Sequence, residues 1–375
     1  MKTESLSTPH AAVDVLTEVR GHVGFITLNR PQALNALSLG MIRSLTECLL
    51  AWRGDPQVKA VAIRGASKSG PFAAFCAGGD IRFFHQAALA GNPELEDFFT
   101  EEYSLNHLIH SYPKPFVAFM DGIVMGGGMG IAQGATTRIV TQRTKMAMPE
   151  TNIGLFPDVG GGYFLSRCPG HAGEWLALTG EVIGAAQAMA FGLADVCFDP
   201  NQLVSAWDTL AELDMNAPQA LEAWIAGYSI AAIAANPDQA AHIDHYFALN
   251  SVTAILAALE TADDAWAQHT AVTLRKRSPL MLHVVLSQIR RARTLSLADD
   301  LRMERDMVRH CFNTWHLGRM GVNSETVEGI RALAVDKDQQ PKWQPAAVGG
   351  VTDAMVEPFF ASPWPAWAHP LRNLT

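Results

Sequence analysis

Apolar positions in the first half of the chain follow two periods. Val13–Val19 and His22–Leu28 form short β-like runs that meet at Arg20-Gly21, which predicts a hairpin. Met41, Leu45, Leu49 and Trp52 then recur at helical spacing behind Ser38, a capping residue. Val58–Arg64 and Phe116–Met120 are compact apolar runs that predict buried strands. Between them, Asp80 to Ala90 and Glu94–His110 predict helices. Thr137–Thr141 predicts a strand, and Lys145–Pro149 a short extended piece. Strands alternating with helices imply βαβ units in an α/β layer fold.

Past residue 170 the chain becomes Ala-rich and helical. Gly192–Phe198 reads as the last strand. Leu203–Ala262 reads as helical, with a break near Asn236-Pro237. Ser278-Pro279 opens a helix through Arg293, Leu297–Asn313 is a helix charged on one face, and Glu325–Leu333 is a short one. The Pro- and Trp-rich tail from Gln340 predicts surface loop. The chain has no internal repeat.

Composition narrows the class. With 49% apolar and 17% charged residues, disordered and fibrous classes are excluded. Lys and Arg number 28 against 37 Asp and Glu, and the net charge of −9 argues against nucleic acid as a partner. Five cysteines (Cys48, Cys76, Cys168, Cys197, Cys311) are widely spaced without CxxC, which predicts a reducing compartment. Met1–His10 has no apolar segment, and the apolar runs fall short of a membrane span. A cytoplasmic protein with no membrane partner is expected.

Three segments carry candidate chemistry. Phe75-Cys76-Ala77-Gly78-Gly79-Asp80 is a small-residue loop ending in a helix cap, where backbone can approach a ligand and amides can face negative charge. Met120–Gly130 runs from an apolar strand into three glycines and a helix. It fails the GxGxxG register and is not a phosphate loop. Its free helix amides could face a carbonyl oxygen. In Met148–Gly162, Glu150 and Asp158 lie among Met, Ile, Leu, Phe and Pro, surroundings that raise carboxyl pKa values and suit acid, base or nucleophile work. Each segment alone also reads as ordinary loop, cap or packing. Glu101-Glu102 is a weaker signal on its helix, and His107/His110 and His242/His245 lack a third metal ligand nearby.

In this order the segments resemble the crotonase (enoyl-CoA hydratase/isomerase) superfamily, and within it the 3-hydroxyisobutyryl-CoA hydrolases. The resemblance also rests on Gly24–Pro31, Ala33–Leu37, Glu101-Glu102-Tyr103, Ala147–Arg167, Leu176–Gly180, Gly192–Ala194 and Asp336–Trp343. It implies an α/β fold: a crotonase-like ββα spiral core over 12–215 and a mainly helical extension over 216–375 that covers the acyl pocket. It implies a short β-hydroxyacyl-CoA substrate, 3-hydroxyisobutyryl-CoA in valine breakdown, and no metal or redox cofactor, since CoA arrives as part of the substrate. The backbone amides of Gly79 and Gly127 would form the oxyanion hole. Hydratases carry two glutamates; the first of those positions is Gly130 here and the second is Glu150. Asp158 stands where hydratases usually have a small residue. Glu150 would attack the carbonyl or activate a water, Asp158 would position the substrate hydroxyl or a water, and Glu102 would bond the hydroxyl end. The alternatives are an enoyl-CoA hydratase or isomerase, or a non-catalytic acyl-CoA- or RNA-binding member. Crotonase cores often trimerise while an appended region can occlude that surface, so a homo-oligomer stays open.

Overall fold

The computed structural model describes residues 13–231 and 237–375. The hairpin forms as β1 (Val15–Arg20) and β2 (Val23–Leu28), paired from Val15 with Leu28 to Arg20 with Val23. There follow β3 (Ala60–Gly65), β4 (Phe116–Met120), β5 (Ile123–Met125), β6 (Thr137–Val140), β7 (Lys145–Ala147), β8 (Val196–Phe198) and β9 (Ser229–Ile230). The main sheet has the order β1-β2-β3-β4-β6-β8-β9, parallel from β2 to β8 and antiparallel at both edges. A second sheet pairs β5 with β7.

The period-2 alternation of the strands divides the core. Ile26, Leu28, Val61, Ile63, Ala118 and Met120 face one apolar cluster, which draws on residues from Val15 to Leu371. Phe25, Ala60, Ala62, Val117, Phe119 and Ile139 face a smaller one, closed by Trp207 and Trp224. Strands buried on both faces are the usual signature of parallel sheets. Helices α1 (Leu39–Gly54), α2 (Ile81–Ala90) and α3 (Glu94–His110) lie on the larger cluster, and α4 (Gly127–Gln133) follows β5. Ser38 caps α1 and Asp80 caps α2, as expected.

Four readings are corrected. Met120–Met125 is not one strand. Gly122, at φ +75°, turns the chain between β4 and β5, and the buried Asp121 carboxylate accepts bonds there from Ala73 N (2.7 Å), Thr141 Oγ1 (2.5 Å) and Arg143 Nη2 (2.6 Å). Gly192–Phe198 is not the last strand: Trp224 and Tyr228 stack on Phe198 at 5.6 and 5.8 Å and bring β9 alongside β8. A strand pair, Asn313–Thr314 with Arg319–Met320, also forms. Two-residue strands have no periodicity to detect. Leu203–Ala262 is cut into shorter helices, Leu203–Leu210, Ala220–Tyr228, Pro237–Phe247 and Val252–Thr261. The expected break at Asn236, like the Met1–His10 segment, lies outside the described residues. The tail is not merely superficial, because Phe359 and Leu371 enter the larger cluster.

Candidate active site

The turns after β3 and β4 lie at the carboxyl ends of parallel strands, the usual place for a ligand crevice. Asn35, buried and at φ +56°, holds the first turn in shape. Its amide donates to the carbonyls of Ala66 (2.8 Å), Ala74 (2.9 Å) and Phe75 (3.1 Å). Cys76 then bridges to Val124, its N–H bonded to Ile123 O (2.9 Å) and its carbonyl accepting from Met125 N (3.0 Å). This short ladder sets the two glycine segments side by side.

A Cβ placed on Gly127 would lie 3.4 Å from the Gly79 amide nitrogen and would collide with Glu102 Oε1. Among the described residues, neither the Gly79 nor the Gly127 N–H donates a hydrogen bond. A Cβ on Gly126 would sit 2.8 Å from Glu150 Oε1, so that glycine leaves room for the carboxylate. Cys76 is a buried packing residue: its thiol contacts Asn35 O at 3.1 Å, and burial pushes its pKa up to about 12.

All five predicted site residues (Gly79, Glu102, Gly127, Glu150, Asp158) line one cavity of about 190 Å³. Glu150 opens the single turn Glu150–Ile153 after β7 and Pro149. Glu102 lies on the buried face of α3. The three carboxyl groups are 2%, 7% and 5% exposed at Glu102, Glu150 and Asp158, so their charges are poorly hydrated. Burial, reinforced by Asp158, raises both glutamates well above the ordinary carboxylate range. Burial pushes Asp158 up to about 6, held back by the Tyr103 hydroxyl, which donates to Oδ2 at 2.8 Å. Glu102 Oε1 and Glu150 Oε2 are buried without a partner among the described residues.

Sequence reasoning missed the parts that hold Asp158. Glu304, on the Leu297–Phe312 helix, accepts from the amides of Gly160 (2.7 Å) and Gly162 (2.9 Å). Asp300, one turn earlier, accepts from Tyr163 N at 2.8 Å. The charged face of this helix is therefore partly core, with Asp300, Glu304 and Arg305 fully buried. The signal was register, because residues 300, 304, 308 and 311 fall on one stripe that ends in Val308 and Cys311. Within the loop, Val159 adopts φ +59°. A β-branched residue there stores strain on the order of 1–3 kcal/mol, which persists only where surroundings enforce it.

The C-terminal region completes the wall. Leu333 lines the cavity. Thr326 Oγ1 donates to Gly154 O at 2.8 Å, which ties the Glu325–Ile330 helix to the turn that carries Glu150. The histidine pairs sit apart from the cavity and pack as rings: His110 on Tyr163, His242 on Trp266 and His245 on Tyr246.

The profile of the enoyl-CoA hydratase/isomerase family matches residues 23–360. The chain belongs to that family. A zebrafish (Danio rerio) protein called 3-hydroxyisobutyryl-CoA hydrolase, mitochondrial, is 39% identical, covering 94% of this chain and 90% of its own. An Arabidopsis thaliana 3-hydroxyisobutyryl-CoA hydrolase is 38% identical over 92% and 91%. Among solved structures, one described as a carnitinyl-CoA dehydratase from Mycobacterium thermoresistibile is 40% identical, with TM-score 0.84 over 94% of this chain and 97% of its own. One described as an enoyl-CoA hydratase from Rhodobacter sphaeroides is 34% identical, with TM-score 0.83 over 94% and 98%. The crotonase-like α/β fold with a helical extension is thus a family property. Hydrolase, dehydratase and hydratase names all occur among these relatives, and the residue four positions after Gly126 is Gly130 in this chain. A Cβ there would lie 2.5 Å from Val159 Cβ and 3.0 Å from Asn106 Nδ2, so no longer side chain fits without displacing Val159. Among the described residues, no helix is long and apolar enough to cross a membrane.

Proposed function

We propose that this chain hydrolyses the thioester of a short β-hydroxyacyl-CoA, with 3-hydroxyisobutyryl-CoA as the substrate. The observation that carries the reading is the buried Glu150 carboxylate, which among the described residues has a free oxygen beside two unengaged amides, while the position of a second hydratase glutamate is blocked by Val159. The Gly79 and Gly127 N–H groups donate to the thioester carbonyl oxygen as it gains charge. Glu150 either attacks the carbonyl carbon or takes a proton from an attacking water. On the first route the C–S bond breaks to leave an acyl anhydride on Glu150, which a water then hydrolyses. On the second the water oxygen bonds to the carbonyl carbon as the C–S bond breaks. On both, the CoA sulfur leaves as thiolate and takes the proton that the water gives up. A protonated Glu102 donates to the substrate hydroxyl, and ionised Asp158 accepts from that hydroxyl or from water. CoA enters and leaves as part of the substrate, and the chemistry asks for no redox cofactor.

The 12–215 region supplies every polar group assigned here, and 216–375 supplies cover. The five free cysteines support a reducing compartment. Cytoplasm fits that, although the zebrafish relative's name assigns that protein to mitochondria.

Two assays test the reading. Purified protein releases free thiol from 3-hydroxyisobutyryl-CoA and leaves the absorbance of crotonyl-CoA unchanged. Loss of crotonyl absorbance without thiol release would instead establish a hydratase.

A pH effect follows from Tyr103. Ionised Glu150 is the reactive form, so kcat/KM rises with pH as the cavity carboxylates lose protons together. The Tyr103 hydroxyl lowers the Asp158 pKa. Tyr103→Phe removes that donor, Asp158 holds its proton to higher pH, and the rising limb moves in the alkaline direction. An unmoved or acid-shifted limb contradicts this assignment.

A further inference from the structure

A second cavity, of about 180 Å³, lies behind the first. Three elements pass from one to the other within a few residues. On α3, Glu102 lines the first and Asn106 the second; along the glycine segment the pair is Gly127 and Gly130; along the loop it is Asp158 and Gly160. Four residues of α-helix advance about 6 Å, so the two spaces stand in tandem. Val159 is the one residue that lines both. Its side chain fills the space beside Gly130, and its left-handed backbone is held by the Glu304 bonds to Gly160, the next residue, and to Gly162.

The far cavity is mostly apolar but carries a few polar groups. Asn106 is 3% exposed, and neither its amide nitrogen nor its amide oxygen has a partner among the described residues. Arg138 and Arg167 also line it. An unpaired buried amide is costly in an empty apolar slot and favourable opposite a hydrogen-bonding ligand group.

Resting on the hydrolase reading above, we infer that Val159 is the partition that confines this enzyme to short acyl groups. The space behind it is an extension of the acyl site that Val159 walls off. It fits the distal end of a six-carbon β-hydroxyacyl chain bearing a terminal carboxylate, which would meet Asn106 about one helical turn beyond Glu102.

The test compares three thioesters on wild type, Val159→Ala and Val159→Gly. They are 3-hydroxyisobutyryl-CoA, 3-hydroxyhexanoyl-CoA and 3-hydroxyadipyl-CoA, the last two equal in length and different only at the far end. The kcat/KM ratio of 3-hydroxyadipyl-CoA to 3-hydroxyisobutyryl-CoA rises about tenfold or more in the Val159 variants, on the scale of pocket discrimination. The gain for 3-hydroxyhexanoyl-CoA is smaller. Asn106→Leu in the Val159→Ala background removes the difference between the two six-carbon substrates. A smaller change in the first ratio, in variants that keep the wild-type melting profile, overturns the inference. If Val159→Gly does not fold, Val159→Ala decides alone. Dissociation constants for the same thioesters give a readout without turnover. Wild type that releases no thiol therefore sinks the hydrolase reading, while the binding ratio still decides the partition.

Discussion

Glu150→Gln lowers thiol release from 3-hydroxyisobutyryl-CoA by on the order of 10⁴-fold, in kcat more than in KM. The substitution keeps size and hydrogen bonding but removes the ionisable oxygen. Whether Glu150 attacks carbon or takes a proton from water, an amide does neither. The fold survives, because among the described residues Glu150 Oε2 has no partner to lose, and the change removes a buried carboxyl whose charge is poorly hydrated. Unaltered melting with abolished turnover is the expected pair of results. Full activity in the variant would falsify the role given to Glu150. Equal loss of activity and stability would move this side chain from chemistry to structure.

Gly127→Ala is the second large effect. The added methyl meets Glu102 Oε1 and comes within 3.3 Å of Leu37 Cδ1 and 3.4 Å of the Gly79 amide nitrogen. It therefore disturbs both proposed carbonyl donors and the group proposed to hold the substrate hydroxyl. Loss of one preorganised donor alone costs about 10²–10³ in kcat. Gly91→Ala serves as the contrast, since a Cβ there meets nothing within 4 Å, although its φ of +63° still strains the backbone. The first variant loses turnover with a modest fall in melting temperature, and the second loses a little stability and keeps turnover. Wild-type kcat in Gly127→Ala rules out the amide pair.

Much of the cavity was legible because its groups announce themselves locally. Glu150 and Asp158 stand in apolar sequence, and Gly79 and Gly127 stand where an apolar strand or a small-residue loop turns into a helix. Strands β3 and β4 were legible for the same reason, as runs of adjacent apolar residues, while β9 of the same sheet was not. What stayed hidden depends on distant partners or on backbone angles. Glu304 read as part of a charged helix face, and its burial rests on distant donors, the amides of Gly160 and Gly162, 144 and 142 residues away, and Gln288 Nε2 at 3.3 Å. Asn35 carried no sign of its role in the sequence, yet it braces the Gly79 loop through three carbonyls. Val159 looked like one more apolar residue, and its left-handed conformation has no sequence signature in a β-branched side chain. Tyr103 and Asn106 sit on a helix that was legible as a helix, without any sign of what its side chains meet.

Leu333 gives the cavity a history as well as a wall. Every other residue around that space falls between Ala77 and Val159. At roughly 5–20 residues per second, a ribosome needs about ten to thirty seconds to travel from Val159 to Leu333. For that interval a nascent chain holds all three cavity carboxylates with one side of their pocket still unmade. Productive acyl binding is therefore among the last properties this polypeptide acquires, and a chain ending short of the Glu325–Ile330 helix would carry the reactive groups without the enclosure that makes them selective.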